Sequence, residues 1–205
     1  DIEIREVGSV RQVLAGVTGG AVAFRGSWAA GRGSIDAVAV CDGTSVIVLP
    51  LGGDEDRDAL DAWLVDPSID KRIHDAKGPD LALLTNTDGD AVIEGVSVDT
   101  ALAAYLDSPG ARSYALKDVA TRVLGRTMDD EQDSGQLALD SGGEEDIGGL
   151  GTQAQVVHDL ADVVQERLID EKIDSLLAEM EIPLAGLLAR MEYAGIAVDL
   201  SLIHI

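Results

Sequence analysis

Cysteine, aromatic residues and long apolar runs are scarce in this sequence, and each scarcity excludes something. The single cysteine, Cys41, excludes a disulfide within the chain, which fits a reducing compartment. Aromatic residues make up 3% of the chain, so its core must be built from aliphatic side chains, which the 46% hydrophobic content supplies. No run approaches the ~18 apolar residues of a membrane span. The N-terminal DIEIREVGSV lacks the basic start and apolar middle of a signal peptide, so a cytoplasmic location without a membrane partner is predicted.

Positive charge is scarce as well. The chain has 38 acidic and 15 basic residues, for a formal net charge of -23 at pH 7. Such a charge repels the phosphates of nucleic acids. The chain as a whole is therefore not expected to clamp DNA electrostatically, and any DNA binding by it alone should be weak and salt-sensitive. The acidic surface is interpreted as a source of solubility.

The order of apolar runs and turn signals predicts an α/β domain. Residues 20–24 predict a first strand that runs into a loop at Arg25 and Ser27. Two more strands, residues 35–41 and 45–51, are predicted on either side of a hairpin turn. Further elements are predicted at 54–64 (helix), 71–76 (strand), 80–84 (start of a helix), 100–106 (helix), 116–124 (helix), 153–180 (the longest helix) and 184–193 (helix).

A segment of different composition, residues 129–150, separates the early elements from the longest helix. It holds eight acidic residues, five glycines and no basic residue. It cannot bury enough apolar surface to order itself, so a mobile acidic loop is predicted. Acidic side chains bind hard cations, but their spacing here fits no EF-hand, and the loop interpretation is preferred.

Local motifs of known chemistry are missing. Gly31-Arg32-Gly33 is a lone G-x-G that leads into a strand rather than a helix, so it lacks the context of dinucleotide binding. The three histidines, at positions 74, 158 and 204, show no metal-ligand spacing. The sequence contains neither a P-loop nor a G-x-S-x-G elbow. Motif chemistry alone therefore indicates an α/β domain without a visible active site.

Four runs, in order along the chain, resemble bacterial DNA polymerase I, the family A DNA polymerases. The run EIPLAGLLARMEYAGIAVD (181–199) is similar to the family's junction between the 3′–5′ exonuclease and polymerase domains. The run GVSVDTALAAYLDSPGARSYALKDVATRVLG (95–125) resembles the helical half of the exonuclease domain, and VIVLPLG and KRIHDAKGPDLALL match two further pieces. The acidic segment and GQLALD resemble actinobacterial members.

The resemblance implies an α/β, RNase-H-like (DnaQ-like) 3′–5′ exonuclease fold, a mixed sheet flanked by helices with a C-terminal helical junction. It divides the chain into an exonuclease-like domain (1–180), the start of a polymerase domain (181–199) and an atypical, truncated end (200–205). The implied parent is a monomeric enzyme of DNA replication and repair. In that parent this segment would pack on the polymerase domain, and DNA and Mg²⁺ would be bound outside the segment.

The resemblance also implies a proofreading site, whose carboxylates hold two divalent metals. In the family's first motif, Asp-x-Glu, Arg25 stands for the aspartate and Ser27 for the glutamate. Pro79 stands at the aspartate of the second motif. In the third motif, Tyr-x-x-x-Asp, Val156 and Leu160 stand for the tyrosine and the aspartate. We therefore predict that this segment has no catalytic and no metal-binding residue and needs no cofactor.

Two functions remain open on this basis. The first is a non-catalytic structural module within a DNA polymerase I. The second is an active metal-dependent 3′–5′ exonuclease that uses carboxylates other than the family's, at Asp36, Asp75, Asp80 and Asp99. Asp80 adjoins the second motif, whereas Asp159 and Asp162 flank Leu160 but point elsewhere on a helix. The position of these carboxylates in the fold distinguishes the two functions. Two-metal cleavage requires at least three of them within about 5 Å of a common point.

Overall fold

A mixed five-stranded sheet organises the chain. The computed structural model describes residues 9–128 and 144–196. The strands in this part of the chain are β1 (Gly19–Ala29), β2 (Arg32–Cys41), β3 (Val46–Pro50), β4 (Asp70–Ile73) and β5 (Val96–Asp99). Their spatial order is β3-β2-β1-β4-β5, in which β2 runs antiparallel to both β1 and β3, and β4 lies parallel to both β1 and β5. The predicted class, a mixed sheet flanked by helices, is confirmed.

Helices cover both faces of the sheet. They are α1 (Val10–Leu14), α2 (Asp54–Leu64), α3 (Lys77–Asn86), α4 (Thr100–Asp107), α5 (Leu116–Leu124), α6 (Glu144–Glu171), α7 (Asp174–Leu176) and α8 (Ile182–Ala194), with a π-helical turn (Leu177–Glu181) between the last two. None of the helices within the described ranges is long and apolar enough to cross a membrane.

The two faces of the sheet are built from different side chains. On one face Val22, Val38 and Ile73 pack in a large cluster with Leu60 of α2 and Leu83 of α3. On the other face the strands present the alanines 21, 23, 37 and 39, against which α6 packs through residues 150, 154 and 157. Small side chains let the helix approach the sheet closely, so the aliphatic composition is sufficient to fill this core.

Strand β1 is longer than predicted. Arg25 and Ser27 were expected in a loop, but β1 continues through both residues to Ala29 and pairs with β2 as far as Arg32. A β-bulge between Arg25 and Gly26 shifts the register. Because pairing with β2 supplies the backbone hydrogen bonds, the strand persists although its side chains turn polar.

The helical region after residue 143 also departs from the prediction. Residues 129–143 of the expected acidic loop lie outside the described residues, but residues 144–150 are helical, and Leu150 is fully buried against the sheet. The expected single helix from Gln153 to Met180 is interrupted. Lys172 has a φ of 61°, and the Ile173 N–H donates to the Leu168 carbonyl at 2.9 Å, which is the bond that closes a Schellman motif.

The carboxylate of Asp99 joins two segments at the end of β5. Its oxygens accept hydrogen bonds from the N–H groups of Asp75 and Ala76, in the turn between β4 and α3, at 3.1 and 2.9 Å. They also accept from the N–H groups of Ala101 and Leu102 in the first turn of α4, at 2.9 and 3.3 Å. Asp99 is buried. One side chain thus caps a helix and anchors the neighbouring turn.

Replacing Asp99→Ala is expected to lower the free energy of unfolding by about 3–5 kcal/mol, because a helix cap is lost and two further buried N–H groups lose their acceptor. Urea denaturation followed by circular dichroism measures the change. The matched control is Asp58→Ala, which removes an exposed carboxylate from α2 and should change stability by less than ~0.5 kcal/mol. An equal effect of both substitutions would contradict the anchoring role.

Candidate nuclease site

The first two candidate positions lie in the second half of β1. Arg25 pairs in register with Ala37 and is partly buried. Ser27 pairs with Ser34 of β2, and their hydroxyl oxygens lie 3.2 Å apart. The hydroxyl of Ser27 is thus directed at the hydroxyl of Ser34, and position 25 carries a guanidinium. Neither group is a ligand for a divalent cation of the Mg²⁺ type, which prefers several oxygen anions.

The third position, Pro79, is buried in the first turn of α3. The indole of Trp28 lies against Gly78, the residue before Pro79. A Cβ atom at Gly78 would be 2.8 Å from the indole Cε2 and Nε1. The end of β1 and the start of α3 are therefore brought together, but an indole ring fills the contact. Trp28 is not among the residues predicted from the sequence, where the signals for it are an aromatic residue at this strand end and a glycine beside Pro79.

The fourth and fifth positions, Val156 and Leu160, are core residues of α6. Val156 is 4% exposed and Leu160 is 0% exposed. Both pack in a cluster with Val119 and Ala120 of α5 and Ala104 of α4. This side of α6 therefore faces other helices through apolar contacts.

The carboxylates beside Leu160 are engaged in ion pairs. Asp159 pairs with Arg126, which follows α5. Asp162 pairs with Arg72 of β4, and the Arg72 Nη1 lies 2.6 Å from the Asp162 Oδ1. Each carboxylate therefore has a cationic partner at the surface of the fold.

The acidic residues of the alternative set lie in different surroundings. Asp36 is exposed on β2. Asp99 accepts hydrogen bonds from four backbone N–H groups, one of them from Asp75. Asp80 is buried in α3 and accepts a hydrogen bond from the Ile93 N–H at 2.8 Å. Among the side chains described in residues 9–128 and 149–196, no group of three His, Cys, Asp or Glu residues could hold a metal ion.

Burial perturbs the carboxylates that lie near the start of α3. Removal from water raises the pKa of Asp80 to about 7, and the negative charge of Asp99 adds to this effect against the opposing Ile93 hydrogen bond. Burial and the neighbouring Asp99 also raise the pKa of Asp75. A raised pKa disfavours metal binding by a carboxyl group, because a ligand must first lose its proton.

The geometry now has counterparts among known proteins. Residues 32–133 match the family model described as DNA polymerase I, ribonuclease H-like domain. This chain carries the ribonuclease H-like domain of the DNA polymerase I family. The DNA polymerase I of Mycobacterium tuberculosis strain H37Rv is 42% identical over 175 residues, which are 82% of this chain and 19% of the relative. The DNA polymerase I of Geobacillus stearothermophilus is 34% identical over 145 residues, which are 67% of this chain and 16% of that relative.

Solved structures agree with this assignment. The POL domain of Pol1 from M. smegmatis, in complex with DNA primer-template and dNTP, is 33% identical with a TM-score of 0.79, covering 98% of this chain and 33% of that one. Escherichia coli RNase D shares the fold at 15% identity and a TM-score of 0.71, and the match covers 93% of this chain and 51% of that one. Brucella melitensis NrnC bound to pGG shares the fold at 17% identity and a TM-score of 0.73, and the match covers 97% of this chain and 98% of that one.

These matches confirm the expected RNase-H-like fold and the similarity to actinobacterial members of the family. The chain spans about a fifth of the length of the curated relatives it matches. The division into an exonuclease-like domain (1–180), the start of a polymerase domain (181–199) and an atypical end (200–205) stays a prediction.

Substituting Leu160 tests whether its position is core or an open site. Leu160→Ala should lower the free energy of unfolding by about 2–5 kcal/mol, and Leu160→Asp by more, because a buried carboxylate would have no partner there. The matched control is Gln155→Ala, at an exposed position on the same helix. Thermal and urea denaturation measure both effects. A variant Leu160→Asp as stable as the unmodified chain would show that this position is accessible to water or metal.

The raised pKa of Asp80 makes a prediction for pH dependence. The folded chain holds a proton on Asp80 up to about pH 7, whereas the unfolded chain releases it near pH 4. The Asp80 contribution to stability is therefore full below pH 4 and is lost as the pH rises to 7.

The variant Asp80→Asn removes this titration and keeps an acceptor for the Ile93 N–H. Its stability relative to the unmodified chain should therefore rise between pH 4.5 and pH 8, by up to about 4 kcal/mol for a shift of three pH units. The matched control, Asp61→Asn, removes a carboxyl whose pKa burial raises to about 6, so its relative gain should be complete at lower pH. Urea denaturation at both pH values measures the effect, and a difference that does not change with pH would contradict it.

Proposed function

We propose that this chain is a catalytically inactive 3′–5′ exonuclease-like module of a DNA polymerase I, with a structural role. The observation that carries the proposal is the identity of the five residues at the family's metal-site positions: Arg25, Ser27, Pro79, Val156 and Leu160. None of these side chains is a carboxylate. The surrounding structure supports the same conclusion, because three of these positions are buried.

The chemistry of phosphodiester cleavage explains why this substitution pattern matters. Two-metal nucleases hold their cations about 3.5–4 Å apart, so that one metal activates the attacking water and the other stabilises the leaving oxygen. Several converging carboxylates are needed to neutralise and position two divalent cations. Arg25 would act against this, because a guanidinium keeps its positive charge and repels a metal.

The parent protein is proposed to be a DNA-templated DNA polymerase of replication and repair, monomeric and located in the cytoplasm with the nucleoid. DNA would contact the parent mainly outside this segment, since the chain carries a net charge of -23. Mg²⁺ is expected in the polymerase domain of that parent. The segment would contribute by packing on the polymerase domain and stabilising it.

An active nuclease with a different carboxylate set is the second candidate. The observation in its favour is the proximity of Asp75, Asp80 and Asp99, since the charge of Asp99 raises the pKa of the other two. Against it stand the four hydrogen bonds that occupy Asp99 and the burial of Asp80 beneath α8. The inactive module is therefore preferred.

A nuclease assay distinguishes these two functions. The 205-residue chain, incubated with a 3′-mismatched primer on a template and with Mg²⁺ or Mn²⁺, should release no nucleotides above the level of a chelated control. The double variant Asp75→Asn with Asp80→Asn is assayed in parallel. Metal-dependent release that this double variant lacks would establish the alternative nuclease. Equal release by both chains would indicate a contaminating enzyme, which a further ion-exchange step should remove.

A further inference from the structure

A cavity of about 420 Å³ lies between α1 and α2, at the end of the sheet opposite the candidate nuclease site. Two of its lining residues, Val17 and Thr18, immediately precede β1, and two others, Ser68 and Ile69, immediately precede β4. Strands β1 and β4 are parallel, so these residues lie where both strands begin, whereas Pro79 follows the end of β4. The cavity is therefore separate from the candidate nuclease site, and its volume is typical of a small-molecule site.

Apolar side chains line much of this cavity. Leu14 of α1 and Ala59 and Trp63 of α2 contribute to its wall and are buried. The Trp63 Nε1 donates a hydrogen bond to the Val17 carbonyl at 3.2 Å, which fixes the plane of the indole. The cavity wall thus offers a preformed apolar surface, including an aromatic ring, to an aliphatic or aromatic group of a ligand.

The loop 66–69, on another side of the cavity, is held by Lys71. The Lys71 side chain is fully buried, and its Nζ donates to the carbonyls of Asp66, Ile69 and Glu94 at 2.8, 3.1 and 2.8 Å. The Asp66 Oδ1 accepts hydrogen bonds from the Ser68 hydroxyl at 2.6 Å and the Ser68 N–H at 2.9 Å. These hydrogen bonds lower the pKa of Asp66, so its carboxylate is charged at neutral pH.

Two opposite charges lie on the cavity wall without pairing. Arg11 lines the cavity from α1, and Asp66 lines it from the loop after α2. Among the side chains that the structure describes, Arg11 has no hydrogen-bond or ion-pair partner, and the Asp66 Oδ2 accepts no hydrogen bond. A guanidinium and a carboxylate oxygen are therefore both available to a bound molecule.

We propose that this cavity binds a free α-amino acid with an apolar side chain. The Arg11 guanidinium would bind the ligand carboxylate, and the Asp66 carboxylate would accept from the ligand ammonium group. The ligand side chain would pack against Leu14 and Trp63. An α-amino acid carries both charges and its side chain on one carbon, so it satisfies the two charges and the apolar wall at once. The inference does not depend on the proposed function.

A ligand with a single charge is a weaker occupant on electrostatic grounds. An organic anion would meet the Asp66 carboxylate and the field of a chain with a net charge of -23. An organic cation would meet the Arg11 guanidinium and the charge of Lys71, whose Nζ lies 5.1 Å from the centre of the Trp63 ring. In a zwitterion each charge faces its opposite. Because exposed ion pairs contribute little, millimolar or sub-millimolar affinity is expected.

A titration with L-phenylalanine tests the proposal. Binding to the 205-residue chain is measured by isothermal titration calorimetry and by tryptophan fluorescence. Arg11→Ala and Asp66→Asn should each weaken binding by about fivefold, because each removes the partner of one ligand charge. The matched control is Arg57→Ala, since Arg57 lies on α2 but does not line the cavity and pairs with the exposed Asp54. This control should bind like the unmodified chain.

Two analogues of the ligand complete the test without any change to the protein. Phenylacetate keeps the ring and the negative charge, and phenethylamine keeps the ring and the positive charge. Each should bind about fivefold more weakly than L-phenylalanine. Absence of L-phenylalanine binding, binding that neither cavity variant weakens while both stay folded by circular dichroism, or an analogue that binds as tightly would each overturn the proposal. The nuclease assay is independent of this result, because the cavity and the candidate nuclease site share no residue.

Discussion

The Asp99 carboxylate is the contact on which the carboxyl end of the parallel strands depends. It holds the turn that leads from β4 into α3 and caps the first turn of α4, so two helices start from positions fixed by one side chain. Asp75 in that turn has a φ of 57°, a conformation that costs a non-glycine residue energy and persists only where surrounding contacts support it. The position of Pro79 and the burial of Asp80 both follow from where this turn places α3.

Apolar side chains pack around several of the positions at which the family would hold metals. A buried carboxylate without a cation would be costly, and several near one another would raise the cost further. Leucine and valine on α6, and an indole ring against Gly78, instead contribute burial of apolar surface. In the proposed absence of a metal, the buried valine and leucine of α6 each stabilise the fold more than a carboxylate at the same position would. This explains how the fold accommodates two aliphatic residues there without losing its architecture.

Local signals in the sequence were sufficient for much of the fold. Helices α2 and α5 were predicted with the bounds they have, since a proline follows one and Gly125, at a φ of 67°, ends the other. The break after α6 was missed because Lys172 adopts the left-handed conformation that glycine usually takes. The length of β1 was missed because pairing across the sheet, rather than side-chain pattern, extends it past Arg25. The contact of Trp28 with Gly78 depends on tertiary structure, so no local pattern could reveal it.

Helix α3 connects the candidate site with α8. Its first turn carries Pro79, its next residue Asp80 is buried close to Gly186 of α8, and Leu81 and Leu84 pack against Ala189. Helix α3 therefore remains necessary for the packing of α8 even where its first turn holds no metal ligand. Under the proposed loss of the metal site, only the residues that would face the metals are free to change, whereas the residues that contact α8 remain constrained by packing. The proposed exonuclease-like fold without the carboxylates of an exonuclease is therefore physically coherent, because the packing of α3 against α8 does not depend on them.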